Sequence, residues 1–487
     1  MRYHALGGAH RPLRHLAARW GPAGRTRRGF GHRQPGQRCG GASRAEHEPH
    51  VRAERDGGVA DLARGPLSLV RCPPWVVSSH PWPASTTGNG PRTKDNGQQI
   101  AVFLKHLSLT NYRNYARLEL DLPEQVILVQ GDNAQGKTNL LEAIYYLATT
   151  RSPLVGSDRH LLNWAASAEP MPFARIVGDV ERAPGPARIE ITLVREAAPE
   201  TVGTEPRLVR RFRLNGVDKR AIDLLGQLNV VLFLPQDIDL VAGPPALRRR
   251  YLDVTLCQVD AAYCRHLQQY NRVLVQRNSL LRRLRERRDD PAQLQYWNEQ
   301  MARWGSLVVQ RRQEAIRWLE SAAASIHREL SGNTEHLALR YDASIPLPSG
   351  DDPTVAPVDA MLAALERSQA RDVGAGVSTA GPHRDEVRFL ANGVDMGLLG
   401  SRGQQRTVAL ALKLAEVRFM AQETGEVPVL LLDDVMSELD RVRGGYVLGA
   451  VAAARQVVIT ATDLAPYPAD FVQRAALWRV QQGTIIP

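Results

Sequence analysis

The chain has 487 residues, 43% of them hydrophobic, which is enough for two or three lobes with buried cores. No apolar run approaches the roughly 20 residues that span a bilayer, so we exclude an integral membrane protein and expect a cytoplasmic one with no membrane partner. The net charge is +11, but residues 1–100 carry 16 Lys and Arg against 6 Asp and Glu, and the rest carries 46 against 45. Global basicity therefore gives no argument that the remaining 387 residues bind nucleic acid.

Residues 1–100 have the composition of a disordered, basic extension. They contain 15 Gly and 10 Pro without any sustained period, and such a segment cannot bury a core. An Arg-rich start is typical of an organellar transit peptide, but the first serine is Ser43, and prolines and glycines interrupt every amphipathic pattern. Because ordered patterning begins abruptly, we expect translation to start near Val102.

Residues 101–240 predict the first half of an α/β lobe. Alternating apolar and polar residues from Phe103 to Asp121 predict a hairpin. Gln125–Gln130 is an apolar run typical of a buried strand, and a helix is predicted from Lys137 onward. Three more strands are predicted, at Ile189–Val194, Leu208–Leu214 and Asn229–Leu234. We expect a mixed sheet here.

Residues 241–370 predict a helical arm. Apolar residues recur at intervals of three, four and seven residues on both sides of a break at Asp289-Asp290-Pro291. Two helices of about 28 residues joined by a short turn would make an antiparallel hairpin of roughly 40 Å. The alternative is a helical subdomain packed on the sheet. We favour a projecting arm because arginines crowd its polar face, at Arg277, Arg282, Arg283, Arg285, Arg287 and Arg288.

Residues 371–487 return to an α/β pattern and predict the second half of the lobe. Strands are predicted at Glu386–Leu390, Pro428–Asp433 and Gln456–Thr460, and helices at Gln404–Met420 and Asp440–Ala453. The helical arm is therefore expected to be an insertion between two halves of one domain.

One motif has the spacing GxxxxGK[ST] of a phosphate-binding loop. Its glycines let backbone N–H groups turn toward an anion, and its lysine reaches the terminal phosphates. The loop lies between a predicted strand and a predicted helix, as phosphate binding at a helix N-terminus requires. We predict ATP binding by all eight residues, Gly131, Asp132, Asn133, Ala134, Gln135, Gly136, Lys137 and Thr138.

Two further segments complete a nucleotide site. Val429 to Asp434 is an apolar strand ending in two carboxylates, at the sheet edge where ligands of α/β proteins bind. We predict that Asp433 and the Thr138 hydroxyl hold Mg²⁺ and that Asp434 polarises the attacking water. The alternative, that two adjacent acids only cap a helix, is weakened by the phosphate loop.

The segment Ser401-Arg-Gly403-Gln404 precedes a long predicted helix, so its hydroxyl and N–H groups form a second anion-binding end. One ATP is already held by the phosphate loop. We therefore expect Ser401, Gly403 and Gln404 to act on the γ-phosphate of a nucleotide bound by another subunit.

These motifs resemble the RecF family of bacterial recombination-repair ATPases, which are related to SMC and ABC ATPase heads. The similarity covers Phe103 to the C-terminus, and its most specific pieces include GDNAQGKTNLLEAIYYLATTRS, SRGQQR and LLLDDVMSELD. It implies a P-loop ABC/SMC-like α/β ATPase head with an inserted helical hairpin arm. It also implies ATP-dependent homodimerisation on double-stranded and gapped DNA, slow hydrolysis that times a clamp, work with RecO and RecR in directing RecA to gaps, and the SOS response.

The resemblance also implies roles for single residues. Asp440 would line the dimer interface, Thr460 or Thr462 would take the switch position, and Gln236 would be the glutamine of the lid loop. The sequence departs from the family at Pro153-Leu154, where the family has Phe-Arg. A contact from that arginine is therefore not expected in this chain.

DNA contacts are expected from local arginine clusters, since phosphate binding is sequence-independent and salt-sensitive. The clusters are the arm arginines, Arg248–Arg250, and Arg207, Arg210, Arg211 and Arg213.

The rival function is a transport ATPase subunit, which shares the phosphate loop and the signature segment but needs no helical hairpin. A small-molecule kinase would explain the phosphate loop alone.

Overall fold

We describe the protein from a computed structural model. The structure describes residues 102–168, 171–196, 207–346 and 356–486. The predicted disorder of residues 1–100 lies outside these ranges.

A six-stranded, mostly parallel sheet forms the centre of the α/β head, in the order β15-β14-β3-β13-β12-β8. Two of its strands come from the N-terminal half and four from the C-terminal half, so both halves contribute to one sheet. The strands are β3 (Val126–Gln130), β8 (Val230–Phe233), β12 (Val429–Asp433), β13 (Val457–Ala461), β14 (Ala476–Gln481) and β15 (Thr484–Ile486).

The central sheet is covered on both faces, as the continuous apolar sequence of its parallel strands requires. In β12, Val429 and Leu431 belong to one hydrophobic core, and Leu430 and Leu432 belong to another. Because side chains alternate along a strand, the sheet separates the two cores. Helix α1 (Lys137–Thr149) packs against one face and contacts the second sheet as well.

The second sheet is antiparallel, in the order β2-β1-β4-β5-β6-β7. The prediction of one mixed sheet in the N-terminal half was wrong. Strands in which buried and exposed side chains alternate form this antiparallel sheet, whereas β3 and β8, which are apolar on both faces, belong to the central sheet. Strand β4 was not predicted. The six strands are β1 (Phe103–Tyr112), β2 (Tyr115–Asp121), β4 (Phe173–Glu181), β5 (Ala187–Glu196), β6 (Arg207–Leu214) and β7 (Val217–Lys219).

Helices α4 (Ala261–Arg285) and α5 (Leu294–Leu330) pack together as the predicted hairpin, broken at the turn that contains Pro291. The 37 residues of α5 extend about 55 Å at 1.5 Å per residue. A third helix that was not predicted, α6 (Pro357–Ala375), packs on both, and α5 also contacts α8 (Arg402–Thr424). The hairpin is thus anchored on the head along α5.

The remaining elements connect the hairpin to the head. Strands β9 (Leu337–Asp342), β10 (Glu386–Ala391) and β11 (Val394–Asp395) form a three-stranded sheet. The other helices are α2 (Asp239–Ala242), α3 (Pro245–Val259), α7 (Met396–Leu399), α9 (Arg441–Ala453) and α10 (Ala469–Arg474).

Among the described residues, no helix is both long and apolar enough to cross a bilayer.

Candidate functional site

The candidate site lies at one edge of the central sheet. Strands β3, β13, β12 and β8 are parallel, so their carboxyl ends meet there. The phosphate loop follows β3, and Asp433 is the last residue of β12. The Gly131 N–H donates to the Ala461 carbonyl at 3.2 Å, which fixes the start of the loop against the end of β13.

The phosphate loop curls around the ammonium group of its own lysine. Lys137 Nζ donates to the carbonyl oxygens of Gly131 at 2.7 Å and Asp132 at 2.9 Å. Its side chain is buried, and burial lowers its pKa while the nearby Asp434 and Asp433 carboxylates oppose that shift. An anion placed in the loop would therefore meet a cation that is already positioned.

Asp433 is held by two hydroxyl groups. Thr138 Oγ1 donates to the Asp433 carboxylate, 2.9 Å from each oxygen, and Thr460 Oγ1 donates to Oδ1 at 2.7 Å. Asp433 is only 8% exposed, so its position is fixed from both sides. Thr460, one of two expected switch residues, is committed to this contact, whereas Thr462 is half-buried just beyond β13.

Asp434 differs from its neighbour in backbone conformation and in side-chain contacts. Its φ of 49° lies in the left-handed region, and its N–H donates to the Thr460 carbonyl and hydroxyl, each at 3.1 Å. Its carboxylate accepts no hydrogen bond from any described residue and is half-buried. A strained backbone that presents a free carboxylate beside Lys137 suits a group that acts on solvent or substrate.

The oxygen ligands at this edge fit a magnesium ion. Carboxylate and hydroxyl oxygens from Asp433 and Thr138 are the hard donors that Mg²⁺ prefers, and Mg²⁺ characteristically uses one or two protein ligands together with phosphates and water. Within the described ranges, no cluster of three or more His, Cys, Asp or Glu side chains is placed to hold a metal ion. An ion here would depend on nucleotide oxygens.

The phosphate loop is supported from outside by residues that the sequence reasoning did not identify. Asn114 Nδ2 donates to the Gln135 carbonyl at 3.0 Å, and Asn114 Oδ1 accepts from Asn139 at 2.7 Å. Tyr115 donates to the Gly136 carbonyl at 2.9 Å. A Cβ at Gly136, whose φ is 113°, would lie 2.4 Å from Asn114 Nδ2, so only glycine fits.

The C-terminal hairpin completes this support. The Gln482 N–H donates to Gln135 Oε1 at 2.6 Å, and the Gly483 N–H donates to the Gln135 carbonyl at 3.2 Å. The apex of the loop is therefore held between the β1–β2 turn and the β14–β15 turn. The repeated Asn-Tyr pattern around Arg113 was the available sequence signal for Asn114.

The Ser401 turn begins α8 and faces solvent. Ser401 Oγ accepts from the Gln404 N–H at 3.3 Å, and the Ser401 N–H donates to Gln404 Oε1 at 3.0 Å, which is a reciprocal capping box. Ser401 and Gly403 are exposed, and Gln404 also donates to Glu335 at 2.7 Å. In the described part of the chain, no hydrogen bond or ion pair joins this turn to residues 131–138.

Two residues with expected accessory roles are placed near the edge. Gln236 is exposed in the turn after β8, which pairs with β12. Asp440 is exposed, begins α9, and accepts from the Arg443 N–H at 2.9 Å. The prediction that these residues serve as lid and interface residues stays a prediction.

The structure corrects two of the expected DNA contacts. Arg277 is 0% exposed and donates to Asp372 at 2.8 Å and Ser378 at 2.7 Å, so it cannot lie on a polar arm face. Arg248 donates from two nitrogens to Glu386 and links α3 to β10. In both cases a carboxylate partner distant in the sequence decides the position: Asp372 is buried and Glu386 is half-buried.

The candidate arginines on β6 and at the end of α4 are exposed, as is Arg250, whereas Arg249 is half-buried. The cluster on β6 faces solvent, and two of its members pair with acids, Arg210 with Asp158 and Arg213 with Asp218. Those left exposed at the end of α4 and its turn are Arg282, Arg283, Arg285, Arg287 and Arg288.

The chain is similar in sequence to known proteins. A family model described as RecF/RecN/SMC N terminal domain matches residues 103–467. The DNA replication and repair protein RecF of Chloroflexus aurantiacus is 44% identical over 396 residues, covering 79% of this chain and 99% of the relative. RecF of Geobacillus thermodenitrificans is 36% identical over 386 residues, with 79% and 99% covered.

Solved structures agree with the sequence comparison. The structure of the recombination mediator protein RecF with ATP, from the RecFOR pathway, has a TM-score of 0.70 at 31% identity and covers 81% of this chain and 99% of that one. A second RecF structure, with ATPrS, has a TM-score of 0.68 at 31% identity and covers 80% and 98%. The chain therefore belongs to the RecF/RecN/SMC N-terminal domain family, and within that family to the RecF proteins of DNA replication and repair.

Proposed function

We propose that this protein is an ATP-gated DNA clamp of recombinational repair and replication, in which two copies close on DNA with ATP held between them. Hydrolysis is slow and times the opening of the clamp. The names of the relatives support the repair and replication role. The solved RecF–ATP structures, at 31% identity over nearly their whole length, support ATP as the nucleotide.

Within one copy, the phosphate loop binds the triphosphate and Lys137 neutralises its terminal charge. Thr138 and Asp433 would hold Mg²⁺, which would neutralise phosphate charge when bound. Asp434 accepts a hydrogen bond from the attacking water and orients it. Its accessible carboxylate, next to the fully engaged Asp433, supports this division of roles.

The observation that carries the two-copy arrangement is the exposed surface around Ser401. Leu398 and Leu399 precede it and are 78% and 76% exposed. Large apolar side chains exposed together beside a helix N-terminus are expected at an interface. We propose that this surface covers the phosphate loop of the second copy, with Ser401, Gly403 and Gln404 at its γ-phosphate.

DNA binding is assigned to arginines outside the nucleotide site. The exposed guanidinium groups on β6 and at the tip of the α4–α5 hairpin can contact phosphates without sequence preference. We propose residues 241–370 as the arm domain and residues 101–240 and 371–487 as the two halves of the head. Double-stranded and gapped DNA are the proposed substrates, RecO and RecR the proposed partners, and the cytoplasm the proposed location.

The alternative function, a transport ATPase subunit, is not favoured. Its phosphate loop and signature would look alike, but the RecF relatives cover 79% of this chain, including the helical hairpin, and are named for DNA replication and repair.

ATP-driven dimerisation with and without duplex DNA tests the proposal. Sedimentation velocity should show monomers with ADP and dimers with ATP, because a ligand that binds only the closed form stabilises it. With ATP present, duplex DNA should shift the midpoint of the monomer–dimer transition to lower protein concentration. A protein that stays monomeric with ATP and DNA, or hydrolyses ATP rapidly without DNA, contradicts the clamp.

A further inference from the structure

A long groove lies apart from the nucleotide site, between helices α3 and α4. Its volume is about 820 Å³, and it is also walled by the end of α1 and the turn at Ala221–Leu225. Along α4 its lining residues recur every three or four positions from Cys264 to Gln276, which is one continuous helix face. Those twelve steps make the groove roughly 18 Å long at 1.5 Å per residue.

The groove carries excess positive charge. Four arginines on its walls form no ion pair with any described carboxylate: Arg151, Arg249, Arg250 and Arg272. The carboxylate of the groove, Asp253, is already bonded to Arg312 at 2.7 Å and to the Tyr263 hydroxyl at 2.5 Å. Guanidinium groups that lack an ion-pair partner and are gathered in a concave site favour an anionic occupant, with carboxylate and phosphate as the matching geometries.

The position of Arg249 shows the same crowding. It is half-buried and donates to the Asp385 carbonyl at 2.7 Å. Burial and the neighbouring Arg312 lower its pKa, while the carboxylates of Glu386, Asp385 and Asp253 partly oppose that shift. A carboxylate or phosphate bound in the groove would relieve this repulsion.

The groove also has aliphatic walls. Val275 on α4 is 62% exposed, and Leu267, Val254 and Leu225 line the groove beside it. The occupant must therefore present apolar groups as well as negative charge. Single-stranded nucleic acid instead needs aromatic platforms for its bases. Of the aromatic rings lining this groove, Tyr270 is only 1% exposed and His383 is half-buried.

We propose that the groove docks an acidic, amphipathic segment of a partner protein, with carboxylates on the arginines and aliphatic side chains against Val275 and Leu267. At about 3.3 Å per residue, five or six extended residues fill its length. The segment would lie against the C-terminal end of α1, since Arg250 also donates to the Ser152 carbonyl at 2.6 Å. This docking needs neither nucleotide nor dimerisation, so it stands or falls separately from the clamp.

Fluorescence anisotropy on the full chain without nucleotide tests the proposal, with a fluorescein-labelled twelve-residue peptide that alternates Glu or Asp with Leu or Val. We expect saturable binding that weakens at least ~10-fold in the double variant Arg250→Glu/Arg272→Glu. The control Arg282→Glu/Arg287→Glu makes the same charge change on exposed residues outside the groove lining, at the end of α4 and in the turn after it, and should change affinity less than ~2-fold.

A second variant guards against damage to the fold. Arg272→Glu/Val275→Asp changes only exposed side chains of α4 and should weaken binding to a similar extent. An oligoglutamate peptide without apolar residues should bind at least ~10-fold more weakly than the probe. Equal losses in groove and control variants, no saturable binding, or an unlabelled single-stranded oligonucleotide that binds the groove more tightly than the peptide would overturn the proposal.

Discussion

Thr138 and Asp433 are 295 residues apart in the sequence, yet the Thr138 hydroxyl lies 2.9 Å from both carboxylate oxygens of Asp433. The contact joins the first turn of α1 to the carboxyl end of β12. It places both proposed magnesium ligands together before any ion binds. The two halves of the chain thus meet at the site of the proposed chemistry.

The first prediction separates the two aspartates. Asp433→Asn should abolish Mg²⁺-dependent ATP hydrolysis and weaken Mg–ATP binding, because it removes a charged ligand. Asp434→Asn should keep nucleotide affinity within ~3-fold and lower the hydrolysis rate by roughly 10²–10⁴-fold. Titration with a fluorescent ATP analogue and a steady-state phosphate assay measure the two effects. Equal loss of binding in both variants would contradict the assigned roles.

The second prediction concerns support of the phosphate loop. Asn114→Ala removes the hydrogen bond to the Gln135 carbonyl and the contact with Asn139. At about 1 kcal/mol for a typical hydrogen bond, ATP affinity should fall by roughly 5- to 30-fold while the melting temperature stays near that of the wild type. Isothermal titration calorimetry measures the ATP affinity. The matched control is Asn392→Ala, which lies in a distant exposed turn. An unchanged affinity would exclude a positioning role for Asn114.

The nucleotide motifs could be predicted from sequence because each is local. A phosphate loop needs one strand, one turn and one helix within a dozen residues, and Asp433 ends a wholly apolar strand. The support by Asn114 and Gln482 could not be predicted, since it depends on two turns brought to Gln135 from opposite ends of the domain.

The helical hairpin shows the same limit. Its heptad-like spacing predicted α4 and α5, but the faces of those helices are set by α6, which the sequence reasoning missed. The carboxylate of Asp372 on α6 draws Arg277 inward, so a residue expected on a solvent face lies in the core.

The third prediction follows from that buried ion pair. Arg277→Met leaves Asp372 buried without its cation and should lower the free energy of unfolding by roughly 3–5 kcal/mol. Arg282→Met, five residues further along the same helix and exposed, should change it by less than about 0.5 kcal/mol. Urea denaturation followed by circular dichroism compares the two. Similar stabilities for both variants would contradict a buried structural role for Arg277.

The fourth prediction concerns pH. Burial lowers the pKa of His383 to about 4, and its ring lies between the Tyr270 hydroxyl at 2.6 Å and the Ser378 carbonyl at 3.1 Å. The unfolded chain binds the proton more readily, with a pKa near 6.5. The stability due to neutral His383 is therefore complete above pH 6.5 and falls as the pH drops toward 4.

His383→Gln keeps a donor and an acceptor but cannot titrate. Between pH 7.5 and pH 5.0, the wild type should lose about 2 kcal/mol more unfolding free energy than the variant. Urea denaturation at the two pH values measures the difference. If the variant loses as much stability as the wild type, His383 is not the titrating group.

Mixing two inactive variants tests most directly whether Ser401 acts on the nucleotide of a second copy. Lys137→Met should not bind ATP tightly, and Ser401→Arg should bind ATP but not close a dimer; neither should hydrolyse ATP alone. A mixed dimer holds one intact pairing of Lys137 with the partner's Ser401, so an equimolar mixture should recover DNA-stimulated hydrolysis, at up to about one quarter of the wild-type rate if the sites act independently. If the mixture stays as inactive as its components, or Ser401→Arg alone hydrolyses ATP normally, the trans arrangement is contradicted.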